Sequence, residues 1–151
     1  MLVEIYIQTK TKNPAVLQTA QARWLIRSVS SGGLQEQRDG VVFINNATSK
    51  RAALQALCDA LSRFNKAAVI KIYISDDYVR NMCIAGMIPR WRANDWHKIR
   101  LNGNLVHQDL WQRISSLLSK HAVTFASSQE CLGAYKLKEL EDRLNGINRV
   151  L

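Results

Sequence analysis

The stretch Ala67-Ala68-Val69-Ile70-Lys71-Ile72-Tyr73-Ile74-Ser75-Asp76-Asp77-Tyr78-Val79-Arg80 carries the decision about the fold. Its first part is almost continuously apolar, which predicts a central parallel strand over 67–75 covered on both faces, since a strand with one wet face would alternate with polar residues. Asp76 and Asp77 follow where a helix begins, and carboxylates are favoured at the positive end of a helix dipole. A buried strand that feeds a helix is half of a parallel βα unit, and it points to an α/β domain.

Working back toward the N-terminus, the periodicity changes twice. Leu54, Leu57, Cys58 and Leu61 recur at i, i+3, i+4 and i+7, so a helix of about four turns is expected from Ser49, with Thr48 or Ser49 as its cap. Before it, residues 2–8, 23–29 and a segment from about Leu34 through Val41-Val42-Phe43-Ile44 are rich in β-branched and aromatic side chains and read as strands. Gly32-Gly33 supplies a tight hairpin between the second and third, and Asp39-Gly40 marks a bulge or a second turn. The first third is therefore an antiparallel meander.

Toward the C-terminus a helix is expected over 77–87, ending before Pro89 because proline disfavours helix at the residue preceding it. A short second helix is expected over 90–98 and a turn at 101–104. Asp109 starts another helix with Leu110, Ile114, Leu117 and Leu118 on one face, followed by a strand over 122–126. A last helix over 132–144 turns Leu137, Leu140 and Leu144 inward. The order βββαβαβα implies a five-stranded mixed sheet, three strands antiparallel and two parallel, flanked by helices. Residues 1–151 form one domain, with a basic protrusion at about 88–106.

A chain of 151 residues can bury roughly two-thirds of its unfolded surface and needs no disulfide or metal to fold. Lys and Arg number 21 against 12 Asp and Glu, a formal net charge of +9, which favours a polyanionic partner, most often nucleic acid. Cys58, Cys83 and Cys131 are an odd number without CxxC spacing, so neither a disulfide framework nor a zinc site is suggested, and a reducing cytoplasm fits. Cys58 reads as a small core residue. The apolar start Met1-Leu2-Val3-Glu4-Ile5-Tyr6-Ile7 is too short for a signal peptide, and no run approaches a membrane span, so a soluble protein without membrane contact is expected.

The charge is concentrated. Between residues 79 and 101 the cations Arg80, Arg90, Arg92, Lys98 and Arg100 face the single acid Asp95, and Trp91 and Trp96 lie among them. Basic side chains neutralise phosphates and release counterions, and aromatic faces pack on sugars or bases. The same tryptophans can equally pack the protrusion onto its neighbouring helix, and for Trp111 packing is the preferred reading.

The order of these motifs resembles the bacterial type 1 ribonuclease H family. The resemblance runs through Glu4-Ile5-Tyr6-Ile7, Asn13-Pro14, Asn45-Asn46, Leu54-Gln55-Ala56-Leu57, Ser75-Asp76-Asp77-Tyr78-Val79, the Trp91–Trp96 stretch and Asp109-Leu110-Trp111, and it is strongest from 67 to 125. It implies the ribonuclease H-like fold. It also implies that the basic protrusion straddles the DNA strand of an RNA–DNA hybrid, with Arg80, Arg90, Trp91, Arg92, Trp96, Lys98 and Arg100 as contacts, and that Asn45, Asn46 and Thr48 reach the minor groove.

The resemblance further implies a carboxylate at four positions, and here the chain departs from the family. Those positions fall on Gln8, Ser49, Ser75 and, for the last acid, Lys138 by preference, with Glu139 beside it and Glu141 if there are no gaps. Asp76 stands one residue beyond Ser75, on the opposite side of an extended strand unless a bulge intervenes. The histidine loop before the last helix is also missing. Phosphodiester hydrolysis in this family needs two divalent ions about 3.5–4 Å apart on anionic oxygens. An amide and two hydroxyls do not supply that charge, so no metal or other cofactor is expected.

Three functions follow. The first is a catalytically inactive, ribonuclease H-like protein that binds an RNA–DNA hybrid or another RNA-containing duplex. The second is a divergent Mg2+- or Mn2+-dependent nuclease that cuts RNA in such hybrids with Asp76, Asp77 and a late glutamate. The third is a protein-interaction module on the same scaffold.

Overall fold

The structure is a computed structural model and describes residues 2–10, 17–29, 32–33, 35–100 and 103–150. Its elements are β1 (Leu2–Lys10), β2 (Gln18–Val29), β3 (Gln35–Ala47), α1 (Ser49–Leu61), β4 (Val69–Ile74), α2 (Asp77–Ile84), α3 (Met87–Ala93), α4 (Gln108–Leu118), β5 (Ala122–Phe125), α5 (Ser128–Gly133) and α6 (Tyr135–Val150). One five-stranded sheet has the order β3-β2-β1-β4-β5. β1, β2 and β3 are antiparallel, while β4 runs parallel to both β1 and β5. The expected mixed sheet is thus present.

The alternation of β1 divides the interior in two. Val3, Ile5 and Ile7 join a large core with β4, α1, α2, α3 and α4, while Tyr6 points to the other face with Leu25, Ala126, Cys131, Leu137 and Leu140 beneath α5 and α6. Side chains on a strand take opposite faces in turn, so one strand serves both cores. In α1 the stripe Leu54, Leu57, Cys58 and Leu61 is fully buried, and the Thr48 hydroxyl caps the helix by accepting from the Arg51 N–H. Burial pushes the thiols of Cys58 and Cys83 up to about 12, which leaves them inert as nucleophiles.

Several local expectations are corrected. Asp39-Gly40 forms neither a turn nor a bulge: β3 pairs with β2 without a break there, and the register shift lies at the other end, between Gln18 and Ala20. Gly40 is required for a different reason, since an added Cβ would meet the Trp24 ring at 2.5 Å. α2 ends at Ile84 rather than running to 87, because Gly86 takes a left-handed conformation with φ +71. Pro89 lies inside the first turn of α3, where its missing N–H would have had no helical partner.

The final helix is two helices. Ala134 is extended at φ -76 and ψ 113 and separates α5 from α6, and α5 starts with a capping box between Ser127 and Glu130. Asn13-Pro14, Leu34 and the first half of the turn at 101–104 lie outside the described residues. Among the described residues no helix is long and apolar enough to cross a membrane.

Candidate functional site

β1 and β4 run parallel, and their pairing ends with Ile7 opposite Ile74 while β1 continues to Lys10. The Ser75 N–H donates to the Ile7 carbonyl at 3.0 Å, and the Ser75 hydroxyl accepts from the Thr9 N–H at 3.0 Å, so Gln8 and Ser75 stand side by side just past the last paired residues. The carboxyl edge of parallel strands is where open α/β sheets bind ligands, because the chain leaves the sheet there and opens a crevice. A pocket of about 430 Å³ lies at this edge. Gln8, Ser75, Asp77 and Arg80 line it from the sheet side, Lys138 and Glu141 line it from α6, and Ser128, Cys131, Leu132 and Leu137 complete it.

Three of the four positions where the resemblance implies a carboxylate therefore converge: Gln8, Ser75 and Lys138. Ser49 does not line the pocket. It is 1% exposed at the first turn of α1, and its hydroxyl has no hydrogen-bond partner among the described residues. Lys138 and Glu141 share the pocket-facing side of α6, three residues apart, whereas Glu139 turns away and pairs with Lys136 and Arg143.

The two neighbouring aspartates take different tasks. Asp76 is buried and caps α2, accepting from the Val79 N–H at 2.9 Å; the β1–β4 register is unbroken, so no bulge carries it into the pocket. Asp77 is exposed, lines the pocket and pairs with Arg80. Arg80 is 7% exposed and also donates to the carbonyls of Ile74 and Ser75. It is thus part of the pocket wall and not of the exposed basic surface expected for it.

The donor set does not fit a pair of hard divalent ions. Such ions need several anionic oxygens, and here the carboxylates of Asp77 and Glu141 share the pocket with the ammonium of Lys138, the guanidinium of Arg80, an amide and two hydroxyls. Among the described residues no group of three or more His, Cys, Asp or Glu side chains is placed to hold a metal.

The protrusion is built on α3 and the segment after it. Asp95 and Trp96 both adopt positive φ, 55 and 62, which folds the chain back so that His97 bridges to Asn104 and the Leu105 N–H reaches the Trp96 carbonyl at 3.3 Å. Trp91 is 3% exposed, with its ring 4.9 Å from that of the fully buried Trp111. Its expected role as a stacking contact is corrected: it anchors the protrusion to α4. Trp96 is half-buried against the same core and keeps part of its ring in solvent.

Arg90, Arg92 and Arg100 are exposed and Lys98 half-exposed, and among the described residues none of them forms an ion pair. Arg90, Lys98 and Arg100 rim a second pocket of about 340 Å³ floored by Met87, Trp91, Ile99 and Leu105. At the same end of the sheet as the first pocket, Asn45 and Asn46 are exposed at the end of β3, Asn46 with φ 52, while the Thr48 hydroxyl is used in capping α1. Arg51, which the sequence did not single out, locks α1 to α4 by donating two hydrogen bonds of 3.1 and 2.7 Å to Asp109. Arg51 holds the Asp109 carboxyl below its usual range, and burial with the nearby guanidinium lowers His107. Only a pairing of residues 58 positions apart could have flagged this lock, and a single sequence carries no such signal.

Residues 15–128 match the RNase H family. The chain belongs to that family. The matched stretch holds β2 to β5 and the protrusion, while β1 and α6, which bring Gln8, Lys138 and Glu141 to the pocket, lie outside it. The chain is 33% identical over 78 residues to the ribonuclease H of Chlorobium phaeobacteroides, a match that covers 52% of this chain and 53% of that one. It thus spans about half the length of the curated relatives it matches.

The structure superposes on LC9-RNase H1, a type 1 RNase H with the type 2 active-site motif, with a TM-score of 0.76, 18% identity, and coverage of 93% of this chain and 69% of that one. It also resembles the foamy viral protease-reverse transcriptase in complex with an RNA/DNA hybrid, with a TM-score of 0.64, 17% identity, and coverage of 89% and 19%. At these identities the likeness establishes the ribonuclease H-like fold and no more.

Proposed function

We propose that this chain is a catalytically inactive RNase H-like protein that binds an RNA–DNA hybrid, or another RNA-containing duplex, through the basic protrusion at 88–106. The observation that carries the reading is a contrast of chemistry within one fold. The crevice at the ends of β1 and β4 presents Gln8, Ser75 and Lys138, while the protrusion keeps Arg90, Arg92, Lys98 and Arg100 without ion pairs among the described residues. Exposed, unpaired cations on a rigid support bind phosphates and release counterions. Trp96 and the exposed Asn45 and Asn46 add an aromatic edge and amide groups for sugars and base edges. A solved relative on the same fold is complexed with an RNA/DNA hybrid, which supports the choice of ligand. Free thiols at Cys58, Cys83 and Cys131 suit the reducing cytoplasm as its location.

The test measures affinity for hybrid, double-stranded RNA, double-stranded DNA and single strands across salt, together with cleavage in Mg2+ or Mn2+. The reading expects a steep salt slope and intact RNA. No binding to any of these at low salt would leave the protein-interaction role in its place. A second reading has one observation in its favour, since the carboxylates of Asp77 and Glu141 line the same pocket. Metal-dependent cutting of the hybrid, abolished in Asp77→Asn, would establish this divergent nuclease.

A further inference from the structure

The pocket at the ends of β1 and β4 has a charge pattern that the protrusion does not account for. Lys138 is exposed on α6, lines the pocket and has no ion pair among the described residues. Arg80 lies across from it, is more than nine-tenths buried, and its Nε has no hydrogen-bond partner among the described residues. Its terminal nitrogens are taken by Asp77 and by the carbonyls of Ile74 and Ser75, and the Nε has almost no accessible surface, so Lys138 is the cation of the pocket that can meet an incoming anion.

Two neutral groups complete the set. Gln8 is 8% exposed and, among the described residues, its amide makes only a long contact of 3.4 Å with the Thr9 carbonyl, and the Ser75 hydroxyl sits beside it. Of the two carboxylates in the lining, neither is paired at short range with Lys138. Asp77 is already held by Arg80, and Glu141 is exposed to water and screened by it.

We propose that this pocket takes one backbone phosphate of the bound duplex directly, on Lys138 with Gln8 and Ser75 as neutral donors, with no divalent ion between protein and phosphate. The proposal rests on the duplex-binding reading above. An ammonium offers three donors and a full positive charge in the space where an ion would otherwise have to neutralise the phosphate. It also repels a divalent cation, so the side chain that disfavours a metal here can itself neutralise the phosphate.

The experiment has two arms. In the first, binding of a short RNA–DNA hybrid is followed by fluorescence anisotropy, in chelator and in Mg2+ at matched ionic strength. The wild-type protein is expected to bind no tighter with Mg2+, Lys138→Ala to lose about tenfold in affinity and about one unit of salt slope, and Lys138→Arg to retain both. Unchanged affinity in Lys138→Ala, or tighter wild-type binding with Mg2+, overturns the proposal while leaving duplex binding by the protrusion intact.

In the second arm inorganic phosphate is titrated against the thermal midpoint and against the amide resonances of Gln8 and Ser75. A response in the wild-type protein that is absent in Lys138→Ala supports the pocket even where no hybrid is bound, an outcome that removes only the duplex reading. Equal responses in both proteins overturn the proposal.

Discussion

The protrusion and the pocket are both rich in cations, and they keep them in opposite ways. On the protrusion the guanidinium of Arg90 rests near Met87 Sδ at 3.4 Å and that of Arg92 near Ser115 Oγ at 3.4 Å, with water around both. In the pocket wall Arg80 is committed to Asp77 and to two main-chain carbonyls. A solvated cation costs the fold little and acts at a distance, while a buried one must be paired at short range. The difference teaches that net charge says little about where a ligand binds. What matters is which cations near a crevice or protrusion the fold leaves without an ion pair, and among the described residues these include the set on the protrusion and Lys138 at the pocket.

The largest expected effect breaks the protrusion from within. Trp111→Ala should cost about 3–5 kcal/mol of stability, read by urea unfolding, because it empties the slot that holds Trp91 as well. Trp91→Phe keeps a ring in that slot and should leave hybrid affinity within about twofold; a collapse of affinity with unchanged stability would return Trp91 to the binding surface. Next in size, Arg90→Ala combined with Arg92→Ala should flatten the salt slope of hybrid binding by about two units while stability stays within about 0.5 kcal/mol. An unchanged slope would move the interface away from the protrusion.

The smallest effect concerns the lock between α1 and α4, the helix whose Trp111 holds the protrusion through Trp91. The folded Asp109 carboxyl titrates below its unfolded value because Arg51 bonds it, so its stabilisation is complete above the unfolded pKa of about 4 and is lost as pH falls through the lower folded value. The pair is largely exposed, which limits it to less than about 1 kcal/mol. The thermal midpoints of wild type and Asp109→Asn should differ slightly at neutral pH and converge in acid. A difference that grows in acid would contradict the lock.

Much of the fold was legible because it depends on periodicity. The apolar run before Ser75 predicted a parallel central strand, and the stripe of α1 predicted its buried face. Where prediction failed, the deciding contact lay outside the local window. Gly40 looked like a turn because nothing nearby in sequence shows that Trp24 packs over it, and Pro89 looked like a stop because the chain had already turned at Gly86. The break at Ala134 interrupts a helical pattern whose inward residues, Leu137 and Leu140, keep their faces on either side of the reading.

The site was legible in part for the same reason. Gln8, Ser75 and Lys138 could be identified as neutral or cationic side chains from their place in the motif order. Their meeting in one pocket depends on the parallel pairing of β1 with β4 and on where α6 crosses them. Asp76 and Asp77 are adjacent and chemically identical, yet one caps a helix and the other faces the pocket, because side-chain direction at a strand-to-helix junction is set by backbone dihedrals.

By itself, then, the sequence determined the βββαβαβα order and the excess of positive charge, since composition and periodicity are properties of residues in line, and it set neutral Gln8, Ser75 and Ser49 at positions where the resemblance implies acids. Tertiary structure alone decided that Trp91 is an anchor, that Arg80 belongs to a wall, and that Lys138 stands unpaired over the ends of two strands. Burial and pairing are properties of neighbours in space, and only folding brings residues 8, 75, 80 and 138 within reach of one another.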